Sequence, residues 1–466
     1  MTEPQTATLR ANAARIAALA WPLLVGQLSV MAFSTIDTLL LARYSAPDLA
    51  ALAVGSAVYA IVFIGLSGVV MAVAPICGQL FGAGKQQEAG EQLHQAAWLA
   101  LMLALPGSLV LWFPWPFMAL AQMAPDVEDK TRAYLAWLAL SLPASLLFAA
   151  WRGFNNAVSR PKAVMLLQLG ALALKVPLSA LLIHGLPGLG LPALGVVGCS
   201  LGTVVCMWLQ VGVVLLILRR DPFYDRFALR GRSLTRPDRA SLRALLKLGV
   251  PMGMAIVIDV SGFVLMAVFI ARLGTTTVAG HQIAANLVAI LFMLPLALAN
   301  ATSMLVAQRL GAADVQGARR LGWHGMQLGL GLALLIGGLT YTAREEILHL
   351  YTTNAQVMAA ALPLLAWLAI FHVADAAQAV AAGVLRAHRV VTLPMFVFGV
   401  AVWGVGLGGG YLLAFDVLGN TPTALLGAPG YWAANTAGLA LTAIALTAML
   451  VGVQREDKAA SSARQG

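Results

Sequence analysis

Charge is what this chain has least of. Asp, Glu, Lys and Arg make up 10% of its 466 residues, whereas 60% are apolar. A soluble globular chain carries roughly 25% charged and 45–50% apolar residues. With 29 basic and 19 acidic side chains, so long a chain cannot cover a water-facing surface. A soluble enzyme, a nucleic-acid-binding module and a disordered chain are thereby excluded. Cysteine is scarce as well. Cys77, Cys199 and Cys206 all fall in apolar runs, in odd number and without ligand spacing. That excludes a disulfide framework and a thiolate metal site, and leaves them as small packing residues. No Walker motif and no H-E-x-x-H is present, so the chain reads as a non-enzyme without a cofactor, and nothing in it points to ATP as an energy source.

What is present is a series of long runs with no charge at all, among them 16–36, 49–84, 92–125 and 273–308. A membrane β-barrel would show segments of roughly ten residues with alternating polarity. Continuous runs of about 20 or more are membrane-crossing helices. Cutting the longest at turn signals, such as the Gly/Pro-rich stretch 185–192, gives twelve helices. They lie near 16–42, 49–76, 93–120, 132–157, 161–184, 193–218, 245–271, 277–307, 319–343, 356–385, 390–415 and 427–453. The first is too long for the apolar part of a cleaved leader. The fold class is an all-α integral membrane protein.

The net charge of +10 concentrates between helices. With the N-terminus inside, 23 basic residues fall on the inner side and five on the outer, which sets both termini in the cytoplasm. Nine of the 23 lie in the polar stretch 219–247, which reads as a solvated linker held near anionic lipid. The expected organisation is an N-terminal lobe over 1–218, a basic linker over 219–244, a C-terminal lobe over 245–453 and a tail over 454–466.

The two halves echo each other. Pro22 and Pro251, Arg43 and Arg272, Gln79 and Gln308, and Gly82 and Gly311 are each 229 residues apart. A shared offset with the same helix order marks an internal repeat. Six helices per repeat give both the same topology, related by an axis along the membrane normal. That arrangement suits alternating access, with a substrate site between halves.

Asp37, Asp259 and Asp375 stand inside predicted helices, where a carboxylate costs about 2.5–3.5 kcal/mol. The repeat does not account for them, since their counterparts are Met266, Val30 and Ser145. Such acids hold protons or, when wetted and flanked by oxygens, Na⁺. Gln282, Asn286 and Gln378 can supply oxygens or simply bond between helices. Lys175, within helix five, can pair with Asp37 or snorkel beside Pro177. His372 lies one turn from Asp375; like His281, it can tune an acid or bond across helices. Phe263, Met266, Phe292 and Met293 are candidates for lining an apolar substrate cavity, although such residues also serve as ordinary packing.

Several stretches carry a resemblance. They are Ala20-Trp-Pro-Leu-Leu24 with Ser34-Thr-Ile-Asp-Thr38, Gly78-Gln-Leu-Phe-Gly-Ala-Gly-Lys85, Arg152-Gly-Phe-Asn-Asn156, Val278-Ala-Gly-His-Gln-Ile-Ala-Ala-Asn286 and Ala374-Asp-Ala-Ala-Gln378. In this order, over about residues 15–450, the chain resembles multidrug and toxic compound extrusion (MATE) transporters of the NorM-like bacterial branch. The resemblance implies two pseudo-symmetric six-helix lobes in a bacterial inner membrane. It also implies a monomeric antiporter that exports amphipathic, often cationic, drugs against Na⁺ or H⁺. Family ion-site carboxylates carry over onto Asp37, Asp259 and Asp375, with Na⁺ expected at Asp259 and Asp375. Asp259 departs from the common Glu by one methylene. An alternative is a flippase for a polyprenyl-linked lipid on a related fold, which would call for cavity arginines rather than acids.

Overall fold

The computed structural model describes residues 8–121, 123–185, 190, 192–230 and 234–463. Every regular element among them is helical. Twelve helices among the described residues are long and apolar enough to cross a bilayer: α1 (Leu9–Ala42), α2 (Ala46–Gly82), α3 (Gln86–Ala119), α4 (Pro125–Ala157), α5 (Pro161–His184), α6 (Val196–Arg220), α7 (Arg239–Ala271), α8 (Thr275–Gly311), α9 (Val315–Thr342), α10 (Ala355–Ala387), α11 (Thr392–Ala414) and α12 (Ala428–Ala459). The chain is an all-α, multi-pass membrane protein. Arg232 and Arg464 of the basic set, and most of the 185–192 turn, lie outside the described residues.

The helices outrun the charge-free stretches. α7 begins at Arg239 rather than near 245, and α8 continues to Gly311 rather than 307. Apolarity marks only the part of a helix that meets hydrocarbon, while the hydrogen-bonded spiral continues into the polar turns beyond. A short helix, Arg344–Tyr351, follows α9 and carries Glu345 and Glu346 in its first turn. There the two acids complement the positive end of the helix dipole. In α11 the ten residues Val400–Gly409 wind as a π-helix.

The chain forms two compact units, one of residues 25–253 and the other of residues up to Leu24 together with 254 onward. In the first, Trp151, Phe154, Tyr224 and Phe227 are completely buried, and the rings of Phe154 and Phe227 meet edge to face at 5.1 Å. Two of these four belong to the polar stretch after α6, which is exposed along most of its described length but anchored by these buried rings. Its 3₁₀ turn Pro222–Phe227 is packed in. Further on, Trp98 Nε1 donates to Thr235 O (2.8 Å), Gln95 Nε2 to Arg236 O (2.9 Å), and Asp238 N to Gln95 Oε1 (2.8 Å). The described basic side chains are exposed, whereas the backbone and two aromatics bind α3 and α4.

A second anchor in this unit is Asp48, in the first turn of α2 and 4% exposed. Its carboxylate accepts from Val196 N at 2.9 Å, at the start of α6, and from the Lys130 ammonium of α4. Gly195, just before α6, has φ +55°, and a Cβ there would lie 2.4 Å from Asp48 Oδ1. Glycine is needed there for conformation and for space together. Close helix contact at small residues is the main adhesive inside a bilayer, where apolar burial alone favours no partner over lipid.

The second unit is built around Tyr431, Trp432, Phe371, Met266 and Leu364. A separate cluster forms around Ala299, Val306, Val380 and Val384. A third sets Ile16, Ala20 and Leu23 of α1 against Ala297, Leu298 and Ala301 of α8. Gly383 of α10 sits where a Cβ would come within 2.8 Å of Ala299 O.

Candidate functional site

In residues 25–253 the chemistry gathers on Asp37. α1 carries it to a place where it is 6% exposed, and α5 brings Lys175, 0% exposed, to meet it. Lys175 Nζ lies 2.9 Å from Asp37 Oδ2. It also donates to Thr203 Oγ1 (2.7 Å) and, at 3.5 Å, to Cys199 O of α6. The ammonium sits 5.6 Å from the centre of the Phe33 ring. Asp37 Oδ1 and the neighbouring Ser179 Oγ make no hydrogen bond. On the α2 side, the Tyr59 hydroxyl shares contacts with Ser145 Oγ (3.2 Å) and Ser141 Oγ (3.4 Å) of α4. Lys175 thus does not snorkel; it closes an internal ion pair.

In the second unit the acids come from two helices. Asp375 of α10 is 7% exposed and accepts a hydrogen bond from Gln378 Nε2, one turn on, at 3.2 Å. Asp259 of α7, half-buried, lies close enough to Asp375 for their charges to interact. Among the described residues neither forms an ion pair. Two neighbouring carboxylates without a base form an electronegative pair that favours a shared proton or a small cation. The described residues contain no group of three or more His, Cys, Asp or Glu arranged to hold a metal. Further oxygens for Na⁺ would therefore come from amides, carbonyls or water.

The supporting candidates divide. Gln378 belongs to the acid pair. His372 is buried one turn before Asp375 with Nε2 unpartnered, and buried His281 meets the Trp432 ring edge-on at 6.0 Å. Gln282 and Asn286 are exposed, and Asn286 Oδ1 accepts from the Tyr351 hydroxyl at 2.9 Å. The aromatic and methionine candidates do not form one wall. Met266 is 1% exposed in the core beside Phe263, whose ring meets Phe371 at 6.0 Å. Phe292 packs on the other cluster, around Ala299 and Val306, and Met293 is half-buried.

Sequence reasoning missed two parts of these sites. One is the hydroxyl shell of Tyr59, Ser141, Ser145 and Thr203, whose residue types are ordinary in membrane helices. The other is the π-helical stretch of α11. It sets Val402 where a Cβ on Gly262 would lie 2.4 Å from Val402 Cγ1, one turn from Asp259, and Trp403 Nε1 donates to Ile258 O at 3.3 Å. Its visible signal is the glycine series 399, 404, 406 and 408–410. Local π winding recurs at functional sites.

Comparison with known proteins bears on the repeat and the fold. A family model described as MatE matches residues 22–181 and again 251–412. Its two matches begin 229 residues apart, the offset of the sequence repeat. The chain is 40% identical over 439 residues to "Probable multidrug resistance protein NorM" of Aromatoleum aromaticum, covering 94% of each chain. It is 33% identical to "Multidrug resistance protein PmpM" of Pseudomonas aeruginosa, over 97% of this chain and 96% of the relative. The crystal structure of the Vibrio cholerae MATE transporter VcmN in the bent form matches the fold with TM-score 0.84 at 18% identity, over 96% of this chain and 98% of that one.

Proposed function

Because this chain belongs to the MATE family of transporters, and not to a family of enzymes, we propose that it is a cation-coupled antiporter. It exports amphipathic, often cationic, drugs by alternating access across a bacterial inner membrane, with both termini in the cytoplasm. The relatives' names supply the multidrug part of this reading. The observation that carries the coupling is the Asp259–Asp375 pair: two acids from two helices of one unit, within reach of each other's charge and, among the described residues, without an ion-pair partner. An ion drives a transporter only through a difference in its affinity for the two access states. A carboxylate pair that must hold a proton or Na⁺ to be stable in a low-dielectric interior supplies such a difference. The pair's negative charge also suits cationic cargo, whereas an anionic lipid head group would call for arginines.

The test is transport in proteoliposomes with Na⁺ and pH gradients imposed separately. A cationic dye should be expelled when one gradient is applied inward and should stay when neither is. Dye movement that ignores both gradients would contradict cation coupling.

A further inference from the structure

Among the described residues Lys175 is the only lysine or arginine that is buried, and it is completely so. It stands within a membrane-crossing helix and has a full set of partners. An ammonium has three N–H donors. Here they face three oxygens: Asp37 Oδ2 at 2.9 Å, Thr203 Oγ1 at 2.7 Å and Cys199 O at 3.5 Å. Thr203 Oγ1 itself donates to Cys199 O at 3.2 Å, which turns a lone pair of the hydroxyl toward Lys175. The oxygen shell is therefore oriented for a cation, and the cation in it is a side chain. The other titratable groups around the pair are Tyr59 of α2, Tyr134 of α4, and Cys199 and Cys206 of α6. None of these is a second base, so the site holds one negative and one positive charge. A further cation would leave net positive charge in a dry interior, which is strongly unfavourable.

We propose that Lys175 is a tethered cation: its ammonium fills the Asp37 site, so residues 25–253 admit a free cation, or the ammonium of a cationic cargo, only in exchange for it. Asp37 Oδ1, buried and without a hydrogen-bond partner, is the acceptor left over for an incoming cation. Among the described residues Asp259 and Asp375 have no such counter-ion, so a free ion is left to neutralise them. The two units then differ in kind: one is self-neutralised, the other ion-dependent. This inference rests on the reading that the intramembrane carboxylates are the cation sites of the chain.

The experiment follows the thermal unfolding midpoint of the full-length protein during Na⁺ titration at constant ionic strength, and across a pH series. The background is Asp259→Asn/Asp375→Asn, which removes the open pair. In that background the protein with Lys175 intact should show no saturable Na⁺ response, and adding Asp37→Asn should lower the midpoint without creating one. Lys175→Met, or the more polar Lys175→Gln, leaves Asp37 without its cation. Either should gain a saturable response to Na⁺ or to acid, and should bind a cationic dye about tenfold tighter or more, since the competing state is gone. Lys175→Met/Asp37→Asn should lose both gains. A Na⁺ response in the Lys175-intact background that Asp37→Asn abolishes would overturn the proposal, even if no Lys175 variant folds. So would folded Lys175→Met and Lys175→Gln proteins that gain nothing. Failure of the underlying reading looks different: the wild-type ion response would survive Asp259→Asn/Asp375→Asn and would also be indifferent to Asp37→Asn.

Discussion

The Tyr224 hydroxyl donates to Asn155 Oδ1 at 2.7 Å, with both side chains completely buried. Asn155 Nδ2 in turn donates to Trp151 O at 2.9 Å. Together with the Phe154–Phe227 ring contact, the Tyr224–Asn155 bond fixes the 3₁₀ turn after α6 to the end of α4. Tyr224→Phe would leave a buried amide oxygen without a donor, at a cost of about 1–3 kcal/mol. The expected outcome is a lower unfolding midpoint with unchanged transport per folded molecule. An unchanged midpoint would show that the contact does not hold the segment.

Gly195 and Asp48 should behave as one element. Gly195→Ala places a Cβ at φ +55° and 2.4 Å from the carboxylate that accepts from Val196 N. Left-handed backbone costs a non-glycine residue about 1–2 kcal/mol. Displacing the buried carboxylate from its partners costs about 3 kcal/mol more. Asp48→Ala removes the same contacts directly, so the double variant should lose far less than the sum of the two. Midpoints of the four proteins measure this; strict additivity would separate the two residues.

The Arg160–Asp221 pair, at 2.5 Å, predicts a pH dependence outside the membrane. Partial burial pushes the Asp221 carboxyl upward, but the Phe223 N–H and the Arg160 guanidinium outweigh it and hold it below the usual 3.8. A depressed folded-state value contributes stability that is present above the unfolded carboxylate range and is lost as pH falls through the folded value. For an accessible pair the contribution is about 0.2–1 kcal/mol. Amide-exchange protection of the 219–230 segment, corrected for the intrinsic exchange rate at each pH, should therefore weaken below about pH 4. Asp221→Asn should show the weakened level already at pH 7. Equal protection of both proteins at pH 7 would remove the pair from the clasp.

Twelve helices were legible because hydrocarbon imposes length and apolarity on every crossing segment. Asp37, Asp259 and Asp375 stood out for the same reason: a charge is conspicuous where it is expensive. What was hidden depends on the third dimension. Asp48 sits at a helix start, where an acid is unremarkable, and only the fold shows that Val196 and Lys130 converge on it. The segment after α6 looked solvated because its arginines dominate its composition, whereas Tyr224 and Phe227 decide where it goes. Met266 and Phe263 had the right character for a drug cavity, yet they pack into the core with Phe371, and Phe292 lies in a different cluster. Residue type does not say which way a helix turns its face.

The central claim is that ion binding at the Asp259–Asp375 pair drives cargo release, and Asp375→Asn tests it most directly. The substitution keeps the size of the side chain and removes its charge. The purified variant should fold, enter liposomes and bind a cationic dye, since a packing role would be preserved. Dye release should then be measured while Na⁺ or acid is supplied. Release driven by either ion should fall at least about tenfold relative to the unmodified protein, because the ion no longer distinguishes the two access states. Undiminished ion-driven release, at normal folded yield, would contradict the account.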